Sequence, residues 1–213
     1  MATATQGRKG ELWVASGSGT VITKEPCEAV GLSTTIYHVT APAKRYLSPA
    51  VPILVYANNI LQTSGYRIAG GCHIVFDAAP TPPVTVSGAY LTPTETALVE
   101  NWELNLETEV YDITSLGDSS RVYMSSGLLG WNGSFGRFYE SGVGTNPPPW
   151  YAKAANNAAV IIVRLFEDHT EGWCWTGWAI PTAWTLSTPV EELETESFEF
   201  VGQGECVYTT DET

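Results

Sequence analysis

The stretch Val99–Thr114, VENWELNLETEVYDIT, carries two different chemistries on alternate residues. Trp102, Leu104, Leu106 and Val110 share one parity, while Glu103, Asn105, Glu107 and Glu109 share the other. Period-two alternation of this kind predicts a strand with one face on a core and the other in water. No lysine or arginine interrupts the wet face, which is unusual, because solvated strand faces ordinarily mix both signs. The fold and the function both turn on why that face stays acidic.

The same bias holds over the whole chain. Its 213 residues carry a formal charge of −13, and the segments Glu95–Ser120 and Glu191–Thr213 hold 15 of the 23 acidic residues and none of the ten basic ones. Such a surface repels nucleic acid and anionic membrane, so sequence-specific DNA binding is disfavoured. A chain of this length can bury one good core. Twenty glycines, thirteen prolines and frequent Thr, Val and Tyr favour strands and turns over helices.

Residues 1–20 are polar and small, lack the apolar centre of a signal peptide, and read as an N-terminal arm with one strand candidate, ELWVAS. No apolar run is long enough to span a membrane. Cys27, Cys72, Cys174 and Cys206 form no CxxC pair and are expected as reduced thiols. From Val21 to Leu91, the runs TTIYHV, VPILVYAN, GYRIAGGCHIVF and PVTVSGAYL predict short strands, with hairpin turns at Asn58-Asn59 and Gly70-Gly71. Pro149 opens a predicted short helix over Trp150–Asn157. AAVIIVRLFED and GWCWTGWAI then make a hairpin, and two further strands lie between Trp184 and Tyr208. The predicted class is mainly β: a sandwich or partial barrel with one short flanking α-helix.

Catalytic and metal chemistry are not expected. His38, His73 and His169 are scattered, the glycine pairs 17/19 and 202/204 are too short for phosphate loops, and Cys72-His73 points to opposite faces of a strand. WCWTGW raises a different possibility, since Trp173 and Trp175 share a face. Aromatic strips on β-sandwiches stack against sugars, although packing between subunits is the commoner use of such residues.

The ordered set from Trp102 to Tyr139 resembles the major tail tube proteins of long-tailed bacteriophages. It runs from the amphipathic strand through Asp112-Ile113-Thr114, Gly127-Leu128 and Trp131-Asn132-Gly133-Ser134-Phe135. The C-terminal order is also similar: a short helix, a hairpin with Gly177, a Pro-Val-Glu-Glu step at Pro189, and FEFVGQGE with Gly202 and Gly204. The resemblance implies a single β domain over 21–213 following the arm, with 95–210 as its core and 21–92 as a β-rich elaboration. It further implies a non-enzymatic virion protein, assembled in the host cytoplasm and resident in the tail, with no cofactor and no metal. Six copies would close a ring and rings would stack into a tube, alongside terminator, distal tail and tape measure proteins. Double-stranded DNA would pass through without specific binding, and no membrane would be involved. Glu103, Asn105, Glu107 and Glu109 are then expected to line the channel. Glu192, Glu194 and Glu196 are expected beside them, with a bulge separating these from the apolar Phe198 and Phe200. Trp102, Asp112, Gly127, Trp131, Gly133, Phe135, Gly177, Gly202 and Gly204 are the expected core and motif positions. The alternative reading is an aromatic-rich β-sandwich of a distal tail or adhesion protein that recognises glycans.

Overall fold

The computed structural model describes residues 11–96, 99–112, 123–138, 160–168, 172–188 and 194–210. Fourteen strands, all paired antiparallel, form two seven-stranded sheets among these residues. The first sheet contains β1 (Glu11–Ser16), β9 (Thr94–Glu95), β10 (Val99–Asp112), β11 (Tyr123–Phe138), β12 (Ile161–Asp168), β13 (Trp173–Ser187) and β14 (Thr195–Thr210). Its order is β10-β11-β14-β13-β12-β1-β9. The second contains β2 (Thr20–Ala29), β3 (Ile36–Val39), β4 (Leu54–Ala57), β5 (Ile60–Leu61), β6 (Tyr66–Ala69), β7 (His73–Phe76) and β8 (Val84–Tyr90), in the order β5-β4-β8-β2-β3-β7-β6. The mainly β expectation holds. The helix expected over Trp150–Asn157 lies outside the described residues.

The first sheet is curled. Three strands separate β10 from β12 in the sheet order, a flat distance of about 19 Å at the usual strand spacing. Yet the Trp102 indole N–H donates to the Phe166 carbonyl at 3.2 Å, so β10 must bend round to face β12. The half-barrel closes on Leu12, Val14, Trp131, Phe135, Ile161, Val163, Leu165, Ala179, Phe198 and Phe200. Alternation delivers these residues: on β12, Ile161, Val163 and Leu165 point inward, and Ile162, Arg164 and Phe166 point to the opposite side.

The second sheet has its own core of Ile22, Val39, Leu47, Val55, Ile74, Phe76, Val84 and Val86. Its predicted turns are present. Asn58 and Asn59 both have positive φ (48° and 62°) between β4 and β5, as a two-residue hairpin requires. Gly70 and Gly71 (φ 60° and 71°) turn β6 into β7, and they have a second task. The tip of this hairpin rests on the back of the half-barrel, where a side chain on Gly70 would collide with Val207 and one on Gly71 with Trp178 and Ile162. Gly70 N–H donates to Glu205 O at 3.1 Å, and Trp178 Nε1 to Leu47 O at 2.9 Å. Ala15, Leu91 and Ile162, with Tyr46 and Trp178, fill the joint.

Two expectations are corrected here. The strand ELWVAS is β1, seated between β12 and β9 with Leu12 and Val14 buried, so residues 11–16 are core rather than arm. Leu12 and Val14 share the parity that β12 turns inward, which is why the half-barrel takes them up. Residues 1–10 lie outside the described residues. The strand expected to end at Ile180 and the one expected to begin at Trp184 are also one: β13 runs through Pro181, with its register shift against β14 falling between Pro181 and Ala183. A bulge is the usual way a sheet interior tolerates proline.

Candidate functional site

β10, β11 and β14 lie side by side, and in an antiparallel sheet directly paired residues share a face. Glu103 pairs Ser134, which pairs Glu199; Asn105 pairs Asn132, which pairs Val201; Asn101 is level with Gly136 and Ser197. These rows, with Glu107 opposite Gly130, make the face of the half-barrel that points away from its core. The second sheet covers the same side of the curled sheet farther along, at β12 and β13, and leaves this part open. Glu103, Asn105, Glu107, Ser197 and Glu199 are exposed.

The amides hold the face in order. Asn105 Nδ2 donates to Asn132 Oδ1 at 3.3 Å, and Asn132 Nδ2 donates to Glu107 Oε1 at 3.4 Å. Asn101 Oδ1 accepts from Gly136 N–H at 3.2 Å. No basic side chain belongs to any of these rows. Every lysine and arginine with a described side chain is engaged elsewhere: Lys24 over the Tyr56 ring, Lys44 with Glu25, and Arg45 with Glu28. Arg67 pairs with Glu205, Arg137 with Glu196, and Arg164 is buried against Tyr46 and Phe166.

The opposite parity is apolar. Trp102, Phe135, Phe198 and Trp184 stand level across four strands, with the Phe135 and Phe198 rings stacked at 4.6 Å. Gly133 leaves room for the Phe200 ring, and Trp131 lies over Gly177 and Gly202 with its indole N–H on Gly204 O at 3.0 Å. The expected motif positions on β11, β13 and β14 thus converge on one packing unit. Asp112 pairs Tyr123 at the far end of β10, and Gly127 falls where the register shifts between Thr108 and Val110; their side chains, and that of Glu109, lie outside the described residues.

The second acidic stretch is corrected. Glu196 is 1% exposed and belongs to the core parity with Phe198 and Phe200. The register of β14 against β11 runs unbroken from Thr195 to Val201, so no bulge separates glutamate from phenylalanine. The carboxylate survives inside because Arg137, directly opposite, donates from Nε to its Oε2 at 2.5 Å while lying 5.6 Å from the Phe198 ring. Glu194 is half-buried, and Glu192 lies outside the described residues. The acid that β14 gives to the open face is Glu199. Its signal was present in the sequence: once Phe198 and Phe200 are taken as core, Glu199 must face out.

Other candidate chemistry is sparse. His38 and His73, apart in sequence, bring their rings to 6.3 Å, with His38 Nε2 3.2 Å from Glu28 Oε1. His169 lies outside the described residues. No group of three metal-ligating side chains occurs among the described residues, and the four cysteines are free. No helix is long and apolar enough to cross a membrane among the described residues.

No family model and no curated protein sequence matches the chain. Several solved structures match the chain, three of them as follows. A chain from the tail of an empty gene transfer agent particle, solved with C6 symmetry, is 11% identical over 56% of this chain and 87% of its own, with a TM-score of 0.47. A chain from the virion of a native gene transfer agent particle is 13% identical over 55% and 89%, with a TM-score of 0.46. A chain from the six-fold symmetrised baseplate of an anti-feeding prophage is 10% identical over 87% and 99%, with a TM-score of 0.40.

Proposed function

We propose that the chain is the repeating subunit of a phage tail tube, with the open face of β10, β11 and β14 turned toward a channel that carries double-stranded DNA. The observation that carries this reading is the composition of that face. It offers carboxylates, amides and hydroxyls, with Asn105, Asn132 and Glu107 hydrogen-bonded to one another, one exposed apolar side chain in Val201, and no cation. Phosphate contacts from lysine or arginine would add up over a long channel and hold the duplex in place. A carboxylate wall repels the backbone and keeps a layer of water against it.

Assembly follows from the edge. β10 spans fourteen residues and ends the first sheet, so among the described residues its outer backbone N–H and C=O groups have no strand beyond them. Long open edges pair readily with another strand. β14, by contrast, has β11 and β13 on its two sides, so the edge contact belongs to β10. Head-to-tail contacts of this kind close into a ring when the rotation between copies closes, here with six copies, and rings stack axially. The second sheet then stands as an elaboration away from the channel.

Negative-stain microscopy of the concentrated purified chain tests the reading. Rings or tubes with a stain-filled central channel are expected. A protein that stays monomeric at every concentration and salt overturns it.

A further inference from the structure

At the end of the first sheet where β12 finishes and β13 begins, three aromatic rings meet one carboxylate. Trp173 and Tyr208 are stacked at 5.2 Å with 14° between their planes, and Trp175 leans on Tyr208 at 4.9 Å and 42°. Trp173 is 42% exposed and Tyr208 44%, so these two rings are open to solvent, while Trp175 is half-buried and anchors the ledge against the half-barrel core. Glu167 is fixed beside it: Trp175 Nε1 donates to Oε1 and the Tyr208 hydroxyl to Oε2, both at 3.4 Å. Trp178 plays no part here, because its ring fills the joint with the second sheet.

We infer that this ledge is a binding site for a neutral, unbranched saccharide of all-equatorial pyranose units. The face of such a sugar is a patch of axial C–H groups, which matches an exposed indole in shape and in charge, since the aromatic face is negative. Binding sites of this class combine an apolar floor with a few placed polar groups. Glu167 supplies the polar group: each oxygen receives one protein donor and retains a lone pair for a sugar hydroxyl. Its charge disfavours uronic or phosphorylated sugars. The site is independent of the proposed channel, since it involves neither β10 nor the open acidic rows.

The test is titration of the full chain with cellotetraose and with chitotetraose, followed by calorimetry and tryptophan fluorescence, with oligomeric state monitored by sizing. Saturable binding is expected for at least one of them, weakened about tenfold or more by Trp173→Ala and by Tyr208→Ala. Glu167→Gln, which keeps the shape of the ledge, should weaken it less. Absence of binding at 10 mM sugar (about −3 kcal/mol at best) overturns the inference, as does equal binding by Trp173→Ala. If the alanine variants change self-association and no sugar binds, the ledge is a contact between copies and the inference fails. Failure of the tube reading would leave these outcomes unchanged.

Discussion

The indole of Trp131 occupies the space that a side chain on Gly202 would need. A Cβ there would overlap the ring, as would one on Gly177, while the indole N–H is held by Gly204 O. Glycine is a poor strand residue, and replacing one by alanine ordinarily favours a strand. Here the sign reverses. Gly202→Ala and Gly177→Ala should each destabilise by about 2–3 kcal/mol, the usual scale of overpacking. Gly204, with φ of 77° and open space around it, provides the comparison: its alanine variant should lose only about 1–2 kcal/mol, from backbone strain. Denaturant midpoints of the three variants check the ranking.

Acidic residues on the two parities of this sheet should behave in opposite ways. Glu103→Gln with Glu107→Gln should change stability by less than about 0.5 kcal/mol, since solvated like charges contribute little. Arg137→Met should cost about 3–5 kcal/mol by stranding the Glu196 carboxylate, whose Oε1 already lacks a hydrogen-bond partner among the described residues. Arg137→Met combined with Glu196→Leu should recover most of that loss. Urea unfolding of the set measures the difference, and equal costs would contradict the assignment of parities.

Lysine at the same exposed positions probes the proposed channel. Glu103→Lys with Glu107→Lys should leave the fold intact and permit tubes to form. DNA release should slow, and slow further at low salt, because each added phosphate contact is screened by ions. Ejection at the normal rate would reduce the acidic face to a solubility device.

Leu106 addresses the edge of β10. It has the parity of the core yet is 53% exposed, as an edge residue awaiting a neighbour would be. Leu106→Lys should preserve the monomer and block ring formation, by the same logic that places lysines on natural sheet edges. Sizing and negative-stain images distinguish the outcomes.

Buried thiols give the protein an alkaline limit. Burial pushes Cys72 from 9.0 up to about 12, with Cys174 nearby adding to it; Cys206 rises to about 12 for the same two reasons, and Cys27 through burial and then Glu25. The unfolded chain loses these protons near pH 9 and the folded chain keeps them. Their effect on stability is therefore absent below pH 9, and stability falls as pH rises from 9 to 12, by up to about 1.4 kcal/mol per pH unit for the fully buried Cys72. The gap in stability between wild type and Cys72→Ala should shift by that slope across the window. The same burial predicts slow alkylation at pH 8 until denaturant is added.

Alternation was legible wherever each face had a single character. Glu103 and Trp102 could be assigned to opposite faces from the sequence, and so could the turns at Asn58-Asn59 and Gly70-Gly71, because positive φ selects those residue types. Glu196 was not legible. A buried glutamate looks like any other until its partner is known, and Arg137 lies 59 positions away on another strand. β1 was obscured by composition: its small polar flanks suggest a tail, while Leu12 and Val14 alone decide its place. The separation of the strands into two sheets also depends on long-range pairing that periodicity does not encode.

The docked tip at Gly70-Gly71 has a mechanical consequence. Hinging between the two sheets would have to break the Gly70–Glu205 and Trp178–Leu47 hydrogen bonds together and open the packing under Trp178. Each bond contributes only about 1 kcal/mol, but they and the packed rings would have to yield in one event. The chain therefore has little internal compliance at this joint. In any filament built from it, bending load would fall on the contacts between copies, and flexural stiffness would be set there.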